Sequence, residues 1–377
     1  APAALREAGF DAVTLANNHI MDYGEPGLKT TQSECDREGL ASCGAGRNLD
    51  AAMEPLRTTV DGTSLSVFSF CEEEFGIATE DEPGVAPISH PEARNRVAAE
   101  AETADVVIVI AHGGVEFVPF SPPHRQSQLR GFVEAGADLV VGHHPHVPQG
   151  WEIHKGTPIF YSLGNFRFEM PNRPKTRWGL GLEVAIDGDG TASVELIPTE
   201  LVDGTVYEIE RERATAEHLQ YLYRVTERTA DRDRLIAHWQ ETAVQLFSQR
   251  YSNWLRQGTG ARLRDQARYP FQHRSPDTAW DERRQDDMLV LLNVVRNESH
   301  RAVIETALAL KTGDTTDRRT PEVTETVREL VQWTEDRPLY DRPSPARSTL
   351  SALVNLVADR ISAPRKRIGS TSTDEST

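Results

Sequence analysis

Leu139-Val140-Val141-Gly142-His143-His144-Pro145-His146 is the stretch that decides how this chain is read. Three apolar residues, two of them β-branched, suit a short buried strand, and a glycine then releases a run of histidines at its end. The same pattern occurs twice upstream. Val106 to Ile110 leads into His112-Gly113-Gly114, and Asp11 to Leu15 leads into Asn17-Asn18-His19. In open α/β sheets ligands bind beyond the carboxyl ends of the strands, so polar groups far apart in sequence can converge there. Gly113, Gly114 and Gly142 let the backbone approach closely and turn sharply beside them.

Outward from these three stretches the alternation continues. Leu65 to Phe70 and Ile159 to Leu163 are further apolar runs, and Pro123 opens a helix whose Leu129, Phe132 and Val133 fall at i, i+3 and i+4 before Gly136 stops it. Leu180, Leu182, Val184 and Ile186 alternate strictly. The turn Asp187-Gly188-Asp189-Gly190 then sends the chain back through Val194 and Leu196 as an antiparallel hairpin. That turn lacks the later ligands of a calcium loop. The pattern predicts a layered α/β domain over residues 1–205.

Beyond about residue 205 the strand signal gives way to amphipathic helices. Leu235, Ile236, Trp239, Ala243, Leu246, Phe247 and Trp254 share one face, and further helices are expected over Asp286 to Leu310, Pro321 to Trp333 and Ser348 to Ile361. A Pro/Arg/Asp-rich stretch from Gly258 to Arg284 separates the two helical groups. This gives a helical extension over 206–364 and a charged, Ser/Thr-rich tail over 365–377 that is expected to be disordered.

Composition narrows the function classes. A net charge of −17, with 58 Asp and Glu in 377 residues, argues against a nucleic-acid or anionic-membrane partner. Lysine appears only at Lys29, Lys155, Lys175, Lys311 and Lys366. Such an acidic, lysine-poor surface resembles proteins of salt-loving archaea, the alternative being an acidic protein from a GC-rich genome. No run approaches the roughly 20 apolar residues of a membrane-spanning helix. Cys35, Cys43 and Cys71 show no C-x-x-C spacing and read as buried small residues. The chain starts at Ala1 without a methionine and is read as internal to a longer product, with location open between cytoplasm and cell surface.

A lone histidine after a strand is usually structural. Three strand ends bearing Asn-His, His and His-x-His are harder to explain that way, because neutral imidazole and amide oxygen are ordinary ligands for divalent metals. A closed structural zinc site would bring cysteines, and none accompanies these histidines. Elsewhere, Gly44-Ala45-Gly46 lacks the third glycine of a dinucleotide fingerprint. His300 has no second ligand at helical spacing and reads as an ordinary surface or core residue. Asn297-Glu298-Ser299 reads as a chance match to a glycosylation acceptor.

Four segments together resemble a known family. Leu15-Ala16-Asn17-Asn18-His19 with Asp22-Tyr23-Gly24, His112-Gly113-Gly114-Val115-Glu116-Phe117, Gly142-His143-His144-Pro145-His146 and Tyr161-Ser162-Leu163-Gly164-Asn165-Phe166 are similar, in order and spacing, to motifs of the CapA (poly-γ-glutamate capsule synthesis) branch of the calcineurin-like metallophosphoesterases. The resemblance covers roughly Ala1 to Phe168. It implies a layered α/β/β/α sandwich with its N-terminal strands missing and a C-terminal all-α extension. It also implies two divalent metal ions (Mn, Fe or Zn), with Asn18, His112 and His144 on one and His146 reaching toward the other. His19 would act on the phosphoryl oxygens or the leaving oxygen, and Asp22 would either orient His19 or cap the helix that follows. Glu116 and Asn165 would face the cleft and a substrate, or stabilise loops. The family pattern also has an aspartate and an N-x-E segment upstream, and residues 1–17 hold neither. Glu7 and Asp11 read as a solvated face. The expectation is therefore an incomplete two-metal site, in a fragment or a degenerate homologue. The substrate would be a phosphoester or an anionic polymer, the alternative being a non-hydrolytic accessory role in surface-polymer synthesis.

Overall fold

The computed structural model describes residues 1–170, 173–187, 190–258 and 285–334. The expected helix over Ser348 to Ile361, the tail, the stretch from Gly258 to Arg284 (apart from Gly258 itself) and the turn residues Gly188 and Asp189 lie outside the described residues. In chain order the first strands are β1 (Ala12–Thr14), β2 (Ala41–Cys43), β3 (Ala45–Gly46), β4 (Leu56–Val60), β5 (Thr63–Cys71), β6 (Gly84–Val85), β7 (Val106–His112), β8 (Leu139–His143), β9 (Trp151–His154) and β10 (Thr157–Phe160). Six of them form the central sheet in the order β4-β5-β7-β8-β10-β9. β5, β7, β8 and β10 run parallel, and β4 and β9 are antiparallel edges.

The period-2 alternation of a strand assigns each face its partners. On one side Phe68, Phe70, Val107, Val109, Val140 and Ile159 pack with Ala93, Val97, Leu129 and Phe132 from the helices Pro91–Ala101 and Pro123–Glu134. Phe70 and Phe132 stack with centroids 5.2 Å apart, and each fully buried aromatic contributes roughly 1.5–3 kcal/mol. Both helices start on proline, where the missing N–H costs nothing, and the second is followed by Gly136 at φ +103°.

On the other side Ile108, Ile110, Leu139, Val141 and Phe160 meet a second sheet of β11 (Trp178–Asp187), β12 (Gly190–Val202) and β13 (Thr205–Glu208). Helix residues Leu222, Val225, Leu235, Val327 and Leu330 belong to this same core. The architecture is thus a mixed α/β fold with a central mixed sheet and a C-terminal helical region.

Four local departures from the sequence reading have plain causes. β10 ends at Phe160 rather than Leu163, because Tyr161 onward turns away to form isolated bridges with Pro148 and Gly179. A strand, β13, lies past residue 205: it is only four residues long, too short to show alternation, and the Asp203-Gly204 turn with both φ positive folds it onto β12. The helix expected over Asp286 to Leu310 is two helices, Gln285–Arg296 and Glu298–Thr312, broken at Asn297, whose side chain caps the second by accepting from the His300 N–H. Finally, β1 is not in the central sheet. It pairs with β2 in a two-stranded sheet and is seated by Leu15, Ala16, Leu28, Cys71 and Val85.

Candidate functional site

Register brings the strand ends together. Cys71 pairs with His112 and His112 with His143, so β5, β7 and β8 finish side by side. Gly142 makes this possible at its own position, where a Cβ would meet the Tyr161 carbonyl oxygen at 2.1 Å. The chain then turns tightly. Phe117, His144 and His146 have φ of 63°, 100° and 61°, half of the non-glycine positive-φ residues among those described, and the remaining Asp61, Lys155 and Asp203 sit in turns. Such backbone is costly and persists where surrounding structure enforces it, commonly at ligand sites.

Three donor atoms converge. His112 Nε2 lies 3.1 Å from His144 Nδ1 and 3.2 Å from Asn18 Oδ1. Burial, with the neighbouring imidazoles adding to it, holds His112 well below the usual histidine range, and burial pushes His144 down to about 4. Both rings are therefore neutral at pH 7 and carry a lone pair. Donors about 2.1 Å from one ion stand about 3.0–3.4 Å apart in octahedral or tetrahedral geometry, so the spacing and chemistry of these three atoms fit a divalent cation. Among the described residues no cluster of three His, Cys, Asp or Glu side chains has metal-binding geometry, and it is the amide oxygen of Asn18 that makes the third donor here.

His146 is placed apart from this trio. Its Nδ1 is 2.9 Å from Asn165 Oδ1, which accepts, leaving the Nε2 lone pair 3.9 Å from Glu116 Oε1. The ring stacks with Phe117 and with Phe168, and the Arg173 guanidinium lies over the Phe117 ring at 3.6 Å. The Asn165 Nδ2 is buried with no hydrogen-bond partner among the described residues. His19 is 75% exposed and its Nδ1 is 3.0 Å from Asp22 Oδ2. Of the two readings of Asp22, the contact is with His19. The following helix, Gly24–Arg37, is flanked by Tyr23 and receives no side-chain cap. Asp11 pairs with Arg6 at the surface.

The structure adds residues that the motif reading passed over. Glu72 follows β5 at the same edge and accepts four hydrogen bonds: from the Gly114 N–H (3.2 Å), Arg125 Nη2 (2.8 Å), Asn297 Nδ2 (3.1 Å) and Ser299 Oγ (2.6 Å). Glu298 shares the same guanidinium. His300 is buried and hydrogen-bonded to the Tyr251 hydroxyl at 2.7 Å, and burial pushes it down to about 3. Asn297-Glu298-Ser299 is thus a buried helix start on the site's border. Applying the strand-end rule to carboxylates as well as histidines would have flagged Glu72 and Glu74, but nothing local ties them to residues so far along the chain.

Comparison with known proteins gives a family. Residues 1–170 match the family described as bacterial capsule synthesis protein PGA_cap. The capsule biosynthesis protein CapA of Bacillus anthracis is 32% identical over 209 residues, 54% of this chain and 50% of that one. The PGA biosynthesis protein CapA of Bacillus subtilis (strain 168) is 37% identical over 207 residues, 53% of each. The chain therefore spans about half the length of the curated relatives it matches. A solved structure described as a novel phosphatase of Mycoplasma pneumoniae overlaps 57% of this chain and 79% of its own at 13% identity and a TM-score of 0.36, a partial likeness of shape.

Proposed function

We propose that residues 1–170, which match the bacterial capsule synthesis protein family, carry one half of a two-metal phosphoester-hydrolysing centre. The observation that carries the reading is the convergence of Asn18 Oδ1, His112 Nε2 and His144 Nδ1 within 3.2 Å of each other along the chain of contacts. A bound divalent cation there would supply Lewis acidity toward a phosphoryl oxygen and acidify a bound water. His112 and His144, neutral through burial, would hold it. His146, with its Nδ1 proton on Asn165, would offer Nε2 toward a second ion, whose remaining ligands are not among residues 1–17. His19, fixed by Asp22 through Nδ1, would present Nε2 at the open rim to donate a proton to a leaving oxygen. Glu116, on the exposed side of His146, would contact the substrate.

The test is metal analysis and hydrolysis of a chromogenic phosphodiester by the full-length protein and two variants. His144→Ala is expected to lose metal, whereas His19→Ala keeps metal and loses rate, by about 10²–10⁴-fold if it is the general acid. Equal activity in all three proteins would overturn the assignment.

A second reading is supported by the names of the relatives, which are capsule and PGA biosynthesis proteins. In it the chain serves polymer synthesis by binding an anionic polymer without cleaving it. With a net charge of −17, that contact would need bound cations or high salt to screen repulsion, so polymer binding is expected with divalent cations or in high salt, and its absence under both conditions counts against this reading.

A further inference from the structure

Glycine leaves the backbone free, so a turn that begins His112-Gly113-Gly114 needs outside contacts to hold one shape. Three of its anchors are backbone to backbone. The Glu72 N–H donates to the His112 carbonyl at 2.8 Å, the Gly113 N–H to the His143 carbonyl at 2.9 Å, and the Phe117 N–H to the Pro145 carbonyl at 2.8 Å. A fourth is made by a side chain: the Gly114 N–H donates to Glu72 Oε1 at 3.2 Å. The turn also lies directly against that side chain. A Cβ added at Gly113 would meet both Glu72 Cβ and Arg125 Nη2 at 2.9 Å.

Glu72 is 1% exposed, and a carboxylate so deep takes the orientation its donors set. Its Oε1 also accepts from Asn297 Nδ2 at 3.1 Å, and its Oε2 accepts from Ser299 Oγ at 2.6 Å and Arg125 Nη2 at 2.8 Å. Arg125 belongs to the helix Pro123–Glu134. Asn297 and Ser299 belong to the start of the helix Glu298–Thr312, beyond the residues that match the family. Both are themselves fixed, being 1% and 0% exposed, and Asn297 Oδ1 accepts from the His300 N–H at 2.8 Å. Between them Glu298 accepts from the same Arg125 Nη2 at 3.2 Å. One helix start therefore grips both the carboxylate and the guanidinium that back the turn.

We infer that Glu72 is a positioning residue for His112, and that Asn297 and Ser299 make the helical region part of the site by fixing Glu72 against the Gly114 N–H. The purpose rests on the metal reading proposed above; the linkage rests on the hydrogen bonds alone. His112 Nε2 is the atom common to both contacts of the donor trio, 3.2 Å from Asn18 Oδ1 and 3.1 Å from His144 Nδ1. Loosening the turn at Gly114 displaces that central donor. Changing an outer partner of a metal ligand typically costs about 10–100-fold in metal affinity.

The experiment compares the unmutated full chain with Ser299→Ala, Asn297→Ser, Thr306→Val and His144→Ala. Ser299→Ala removes the hydroxyl donor, and Asn297→Ser removes the amide donor while keeping an oxygen able to cap the helix. Thr306→Val is the control, because it breaks the 3.0 Å bond from Trp239 Nε1 on the same helix without touching Glu72. Hydrogen exchange of a peptide spanning residues 110–118 is followed by mass spectrometry in the metal-free protein, and Co²⁺ affinity is then measured by visible absorption. Ser299→Ala and Asn297→Ser are each expected to speed exchange in that peptide and to weaken Co²⁺ binding about 10-fold, with Thr306→Val changing neither. Exchange that is unchanged in both variants overturns the inference. So does exchange that quickens equally in Thr306→Val, since the helices are then loosening generally. Faster exchange with full Co²⁺ affinity, in a protein whose His144→Ala variant loses cobalt, overturns the positioning role of Glu72. If the unmutated protein and His144→Ala bind Co²⁺ alike or not at all, it is the metal reading that fails, and the inference loses its purpose with it.

Discussion

The two sides of the site are built on opposite principles. On the strand side, His112 Nε2 lies 3.2 Å from Asn18 Oδ1 and 3.1 Å from His144 Nδ1, on a backbone that includes a histidine at φ 100°. On the helical side, Glu72 accepts from four donors, and Asn297, Ser299 and Arg125 are buried around it. A buried carboxylate so completely bonded has little capacity for a ligand; its role is to hold. The strained side is the one proposed above to receive a cation. Asn297 extends the helical side to the neighbouring carboxylate as well, donating to Glu74 Oε2 at 3.4 Å.

That contrast can be broken most forcefully on the satisfied side. Arg125 and Glu72 are 3% and 1% exposed, so Arg125→Met leaves a buried charge with only neutral donors. The expected cost is about 3–5 kcal/mol, read from urea unfolding at pH 7. A loss under about 1 kcal/mol would mean that the network is not a holding device.

The strained side gives a smaller, differential effect. His144→Gly and His144→Ala both remove the imidazole, but only alanine keeps a Cβ at φ 100°. The glycine variant is expected to be more stable than the alanine variant by about 1–3 kcal/mol, while neither retains metal. Equal stability would show that the backbone at His144 is not strained.

A pair away from the site sets the lower bound. Arg57 donates to both oxygens of Glu100 at 2.6 Å, but Arg57 is 57% exposed. Hydrogen bonding to Arg57 holds the Glu100 carboxyl below its ordinary value, against the opposing effect of burial. The pair's contribution is therefore present above the ordinary glutamate pKa and is lost as pH falls through the lower folded value. Arg57→Met is expected to cost less than Arg125→Met at pH 7, and the gap from the unmutated protein is expected to close on acidification. A gap that persists at about pH 3 would assign the effect to packing of the arginine stem instead.

How much of this was legible follows from where each signal lies. The strands β7 and β8, the helix from Pro123, and the hairpin of β11 and β12 are written in period, proline and glycine, which are local properties. Asn18, His112 and His144 were visible because each lies at or shortly past the end of a strand. Glu72 and Glu74 follow a strand too, but the sequence reading did not single them out. Asn297 looked like a chance sequon inside a continuous helix.

The amino-acid sequence by itself determined the sheet-and-helix order and the donors at the strand ends, because side-chain period and backbone preference act over a few residues. Only the tertiary structure decided that β1 sits outside the central sheet, that Arg125, Asn297 and Ser299 close on Glu72, and that Asn297 reaches Glu74. These are contacts between groups separated by up to two hundred residues or more, as in the Asn297–Glu74 bond with its separation of 223. Their partners are chosen by which buried polar atoms are left without water when the helices pack down.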